Sequence, residues 1–200
     1  MDTANKTKRP DLNQLAMEVH ANAVQHGWWE SNPSDEHCFA LVVCELAEAI
    51  EADRNSNYAD KTGFEIAMSD WQDEAERESD PELYQYELKM AFELNLKDTT
   101  GDELADTVIR LLDLAGAHGY DLMRGGAMVG CIHNGRAFTE NVWEIVQVLT
   151  SKRMTVQERI MSGVVAVELL AAAYEIDLWW HVQAKMRYNH SRPYKHGKKY

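Results

Sequence analysis

The sequence predicts an all-α protein. Three observations predict it: apolar residues recur at helical spacing along most of the 200 residues, no alternating apolar–polar run is longer than a few residues, and helix-start residues precede the periodic stretches. A first helix is expected over 11–28, where Leu12, Leu15, Ala16, Val19 and Ala23 share a face. Asn32 and Pro33 break it. Ser34 can cap a second helix, with Asp35 and Glu36 in its first turn, that runs to Arg54 through Phe39, Val42, Leu46 and Ala49. Residues 55–80 lose the pattern and gather acids, and read as a long surface loop with at most a helical piece. A strong helix over 98–117 carries Leu104, Val108, Leu111, Leu112 and Ala115. Its start has two capping options, Thr99 with Asp102 or Thr100 with Glu103. The Gly-rich stretch 123–135 reads as a connection. Helices are then expected over 137–150 and, after the Thr155/Glu158 capping box, over 155–175. A last helix over 177–190 is stopped by Pro193.

Composition narrows the function. The length suits a single domain over 1–200 with enough core to need no disulfide or structural metal. No apolar run approaches the ~20 residues of a membrane span. The first ten residues lack the apolar stretch of a secretory signal. Cys38, Cys44 and Cys131 form no CxxC pattern and read as reduced thiols of a cytoplasmic protein. The net charge is −13, and it is unevenly placed: residues 183–200 hold six Lys/Arg and no acid. So acidic a body disfavours a nucleic-acid backbone as partner. The basic tail on it suits something smaller and anionic, or is a solvated end.

Two carboxylate pairs stand out. Glu45 and Glu48, like Glu103 and Asp106, lie three apart on a helix, so each pair projects about one turn apart from the same side. Apolar neighbours place each pair at the rim of a core. Two such helices packed antiparallel would converge four carboxylates. That is tolerable in a low-dielectric site only if they are protonated or neutralised. Hard oxygen ligands suit Mg²⁺ or Mn²⁺ rather than Zn²⁺. No Glu is followed three residues later by His, which argues against a di-iron bundle. At about 100° per residue, His37 falls within roughly 20° of Glu48. Arg110 and Asp113 continue the Glu103/Asp106 stripe, so Arg110 either meets a phosphate or pairs with Asp106 or Asp113. Adjacent Trp28 and Trp29 cannot share one face; one belongs to the core, and Trp29 is the candidate to stack on a base.

These residues resemble a known family. Glu45-x-x-Glu48 followed by Glu103-x-x-Asp106 is similar to the ExxE…ExxD signature of the all-α nucleoside triphosphate pyrophosphatases, the MazG-like superfamily. The string from Lys185 through Tyr188, Asn189, Arg192, Pro193, Lys195, His196, Gly197 and Lys198 resembles the ending of many MazG-like proteins. The resemblance covers 11–54, 98–122 and 177–200. It implies a MazG-like bundle, with a loop insertion over 55–97 and an inserted helical pair over 123–176.

It also implies Mg²⁺-dependent hydrolysis of a nucleoside triphosphate to the monophosphate and pyrophosphate, with Mn²⁺ as a substitute, in a homodimer or dimer of dimers. Glu45, Glu48, Glu103 and Asp106 would be the metal ligands, with Glu48 the choice for the base that takes a water proton. Lys185, Asn189 and Arg192, at i, i+4 and i+7, would form a stripe for phosphate oxygens. Lys195, His196 and Lys198 would then close over them from a tail that is mobile until substrate arrives. The competing reading is a non-catalytic helical scaffold with a solvated acidic face.

Overall fold

Asp11 opens helix α1 (Leu12–Gln25) by accepting the amides of Asn13 and Gln14. In the same way Ser34 caps α2 (Asp35–Arg54) through the amide of His37. The computed structural model describes residues 6–124, 126–127 and 132–197, the side chain of His196 excepted. Its described residues are helical and contain no strand. Of the two capping options ahead of α6 (Thr100–His118), Thr99 is the one used, accepting from the Asp102 amide. That leaves the Glu103 side chain out of the cap. Helix α6 ends at Gly119, which sits in the left-handed conformation. Helices α7 (Phe138–Leu149), α8 (Val156–Ala173) and α9 (Leu178–His190) follow, with Thr155 and Glu158 forming the expected box before α8. Beyond α9 a short 3₁₀ turn spans Tyr194–Gly197.

The segment expected as a loop insertion is largely helical. It holds α3 (Lys61–Ala67), a 3₁₀ turn over Ser69–Trp71, α4 (Glu74–Ser79) and the fifteen-residue α5 (Pro81–Asn95). Asp80 and Pro81 start α5 by capping it and by fixing its first φ. The segment has a core of its own, Phe64, Met68, Trp71, Tyr84, Leu88, Phe92 and Leu96, which closes on Ala184 and Tyr188 of α9. The acids between Asp70 and Asp80 hide this spacing from a reading of charge alone.

Helix α6 is the axis of the larger core. It packs against α1, α2, α8 and α9, and Leu104, Val108, Leu111, Leu112 and Ala115 are all buried. It runs antiparallel to α2: His118 meets Asp35 at 2.8 Å at one end, and the Thr100 amide donates to the Asn57 carbonyl at 3.0 Å at the other. It is antiparallel to α1 as well, with His20 on Asp113 and Asn13 on Asp121. A helix enclosed in this way buries whatever its first turns carry, acids included. Among the described residues no helix is long and apolar enough to cross a membrane. Cys38 and Cys44 are free thiols, and Cys131 lies outside the described residues.

Gly116 lets α1 come this close. A Cβ there would lie 2.4 Å from the Ala16 carbonyl oxygen and 2.7 Å from the His20 Cβ. The first obstacle is backbone, so the helices must separate. Gly116→Ala is expected to destabilise the chain by about 1–3 kcal/mol despite the better helix propensity of Ala. Chemical denaturation measures this; an unchanged or higher midpoint would contradict the close packing.

Candidate metal and anion site

Helix α2 presents Glu45 and α6 presents Glu103 and Asp106 to one point between them. One carboxylate oxygen from each lies within 4.8 Å of the others. Glu45 and Glu103 are buried, and Asp106 is half-buried. They form one wall of a cavity of about 380 Å³ enclosed by α1, α2, α6 and α9. Trp28, Trp29, His37, Arg110, Asn189 and Arg192 line it too.

Four carboxylates were expected at this point, and three converge. Glu48 lines the cavity from an exposed position and is not in the triad. Three residues turn a helix through about 300°, so an i, i+3 pair diverges by roughly 60°. On α6, enclosed by other helices, both acids still point inward. On α2, which has a solvent side, the second rotates out.

Two built-in cations serve the acids. The Arg110 Nε donates to Glu45 Oε1 at 2.6 Å. The pair forms across helices, not along α6 to Asp106 or Asp113. Lys185 Nζ donates to both oxygens of Asp102, at 2.8 and 2.9 Å, and stands 2.8 Å from Asp106 Oδ2. Lys185, expected as an open phosphate ligand, lines the cavity as a buried residue, 5% exposed, with its ammonium engaged by carboxylates. Burial alone would lower the Lys185 pKa, but Asp106 and Asp102 override it and hold the group charged. Asp102, which sequence reading placed only in a cap, is thus a structural member of the site. Its signal was the i, i+4 spacing to Asp106, visible in the sequence but ambiguous without α9.

Glu103 is treated differently. No Lys or Arg pairs with it among the described residues. Burial, then Asp102, then Asp106 push its pKa up to about 9. Glu45 is also raised, chiefly by burial and next by Asp106, with Arg110 opposing. At neutral pH Glu103 therefore keeps a proton unless a cation replaces it. Cys38, on the same cavity, has its thiol pushed up to about 11, first by burial and then by Asp113, so it is a poor nucleophile.

No family model matches this chain, nor does any curated protein or solved structure.

The remaining expected residues divide in two. Trp29 reaches the cavity but is anchored: its Nε1 donates to Asp113 at 2.9 and 3.1 Å, and its ring meets His20 edge-on. Its neighbour Trp28 lines the cavity as well, so the aromatic wall comes from both. His37 lines the cavity too, half-buried. The Asn189 Oδ1 is buried and has no hydrogen-bond partner among the described residues. Lys195 does not close over the cavity; its Nζ binds Glu30 at 3.0 Å on the turn between α1 and α2. The His196 side chain and all of Lys198 lie outside the described residues.

Proposed function

We propose that the chain hydrolyses a nucleoside triphosphate, NTP or dNTP, to the monophosphate and pyrophosphate with Mg²⁺, or Mn²⁺ in its place. The observation that carries this is the convergence of Glu45, Glu103 and Asp106 on the wall of a cavity that Trp28, Trp29 and Arg192 also line. The donor set fits a hard divalent ion: all oxygen, with Glu103 lacking a cation of its own. Held there, the ion would supply Lewis acidity to a phosphate oxygen and lower the pKa of a bound water.

The chain supplies the rest. Glu48, close to the triad but outside it, is left to take the proton of the attacking water. The water oxygen bonds to the α-phosphorus, the bond to the bridging oxygen breaks, and pyrophosphate leaves with its electron pair. Arg192 and Asn189 orient phosphate oxygens, and the Trp28/Trp29 wall takes the base. The resemblance to the MazG-like pyrophosphatases supports the same reaction and implies a homodimer or dimer of dimers, which light scattering reads.

A scaffold reading has one observation in its favour: Arg110 and Lys185 already neutralise Glu45, Asp102 and Asp106. A panel of NTPs and dNTPs, assayed for pyrophosphate and orthophosphate separately, decides between them. Pyrophosphate released with Mg²⁺ and lost in EDTA is expected. Orthophosphate alone, or no turnover and no Mg²⁺-linked rise in melting temperature, would reject the hydrolase.

A further inference from the structure

Over residues 191–197 the chain stays on the body of the protein. The Ser191 and Arg192 amides turn it by donating to the Tyr188 and Asn189 carbonyls at 3.0 and 3.2 Å. It then lies along the turn that follows α1. The Lys195 amide donates to the His26 carbonyl at 3.2 Å, and the Lys195 ammonium binds Glu30. The Tyr194 ring covers Gly27, where a Cβ would come within 2.3 Å of it. Gly27 has φ +81°, a conformation that a side chain would also resist. Lys195 itself has φ +47°, which an ordinary residue adopts only when its surroundings hold it there.

His26 is the centre of this contact. It is 7% exposed. One ring nitrogen, Nδ1, lies 2.7 Å from the Asn22 carbonyl on its own helix, and Nε2 lies 2.9 Å from the Arg192 carbonyl. The ring thus stands between a carbonyl of α1 and the carbonyl of Arg192, which among the described residues after α9 is the one that lines the cavity. Of the cavity's buried or half-buried cations, Arg110 and Lys185 are engaged by carboxylates, while the Arg192 guanidinium lies 5.5 Å from the Tyr188 ring. A cation resting on an aromatic face keeps its donors available to an anion.

We propose that His26 is a positioning residue: with Gly27 and Glu30 it docks residues 191–197 as a strap on the turn after α1, and so sets Arg192 at the cavity before any phosphate arrives. The inference rests on the reading of the cavity as a phosphate-accepting site, and it replaces a tail that orders only on binding with one that is already seated. Pre-seating spares the bound state the ordering of the segment, so the gain appears as affinity for the anion.

The test uses the full chain and two readouts that need no turnover: backbone amide exchange over 188–197, and calorimetric affinity for inorganic tripolyphosphate with Mg²⁺. His26→Ala is expected to speed exchange in the strap and to weaken tripolyphosphate by about tenfold, the scale of one charge-assisted hydrogen bond. His26→Gln, which keeps an N–H able to reach the Arg192 carbonyl, should recover part of both. Arg192→Ala should weaken binding at least as much while leaving the strap seated. The double variant should bind no more weakly than Arg192→Ala alone, because His26 acts through Arg192. Should His26→Ala fold poorly, Tyr194→Ala loosens the same contact from an exposed position. Unchanged exchange in both strap variants, or losses from His26→Ala and Arg192→Ala that add in the double variant, would overturn the proposal. If the strap and binding results hold but no nucleotide is hydrolysed, the hydrolase reading fails and the strap stands.

Discussion

Glu103→Gln is expected to abolish pyrophosphate release and, in EDTA at pH 8, to melt at a higher temperature than the wild-type chain. The two effects have one origin. Glu103 is buried beside Asp102 and Asp106 without an ion-pair partner among the described residues, and its pKa is pushed up to about 9 from an ordinary 4.5. Between those values the unfolded chain releases a proton that the folded chain retains. Stability from this group is therefore fully present below about 4.5 and is lost progressively as pH rises toward 9. Gln does not titrate, so the advantage of the variant should grow across that window.

Mg²⁺ is expected to reverse the order. On the proposed reading a cation would take the place of the Glu103 proton in the wild type and raise its melting temperature, while the Gln variant, one charge short, would gain less. Loss of a ligand that stabilises transition-state charge by several kcal/mol should cost on the order of a thousandfold in kcat/KM. Asp106→Asn should lose activity similarly but gain no stability, since Asp106 already faces Lys185. Wild-type turnover in Glu103→Gln, or a lower melting temperature in EDTA at pH 8, would remove Glu103 from the metal site.

Lys185→Met is expected to be the most destabilising single change at the site. The ammonium is buried and contacts both Asp102 oxygens and Asp106. Met matches its bulk against Phe92, over whose ring the ammonium lies at 5.3 Å, but it leaves two carboxylates uncompensated beside Glu103. Removing one partner of a buried pair costs about 3–5 kcal/mol. For a chain of this length that lowers the melting temperature by roughly 10 °C. Asp102→Asn in the Lys185→Met background should restore much of the loss, because it deletes the more buried of the two orphaned charges. A loss below about 1 kcal/mol, or a double variant no more stable than Lys185→Met, would show that the ammonium is not what holds this cluster.

Much of this was legible from local rules. The limits of α2, α7, α8 and α9 follow from Ser34, Thr155, Pro193 and the 3.6-residue spacing, which act within a few residues of where they stand. The helices within 55–97 are not legible in the same way, because α3 and α5 bury a face against each other and against α9 while the local signal is a run of surface acids. Trp29, His37, Glu45, Glu48, Glu103, Asp106, Arg110, Lys185, Asn189 and Arg192 all line one cavity, which spacing within single helices does not specify.

By itself the sequence determined the helices outside 55–97 and the faces on which the acids lie, since both depend on periodicity and capping within single segments. Only the tertiary structure decided which acids remain acids together. Enclosure of α6 turned Glu103 and Asp106 inward, while the solvent side of α2 let Glu48 out. It also assigned the cations: Arg110 to Glu45, Lys185 to Asp102 and Asp106, Lys195 to Glu30. Those pairs join residues between 65 and 165 positions apart. Charge and spacing along one helix cannot choose among such partners; the choice is made by which helices pack, and by how strongly burial penalises an ion left without one.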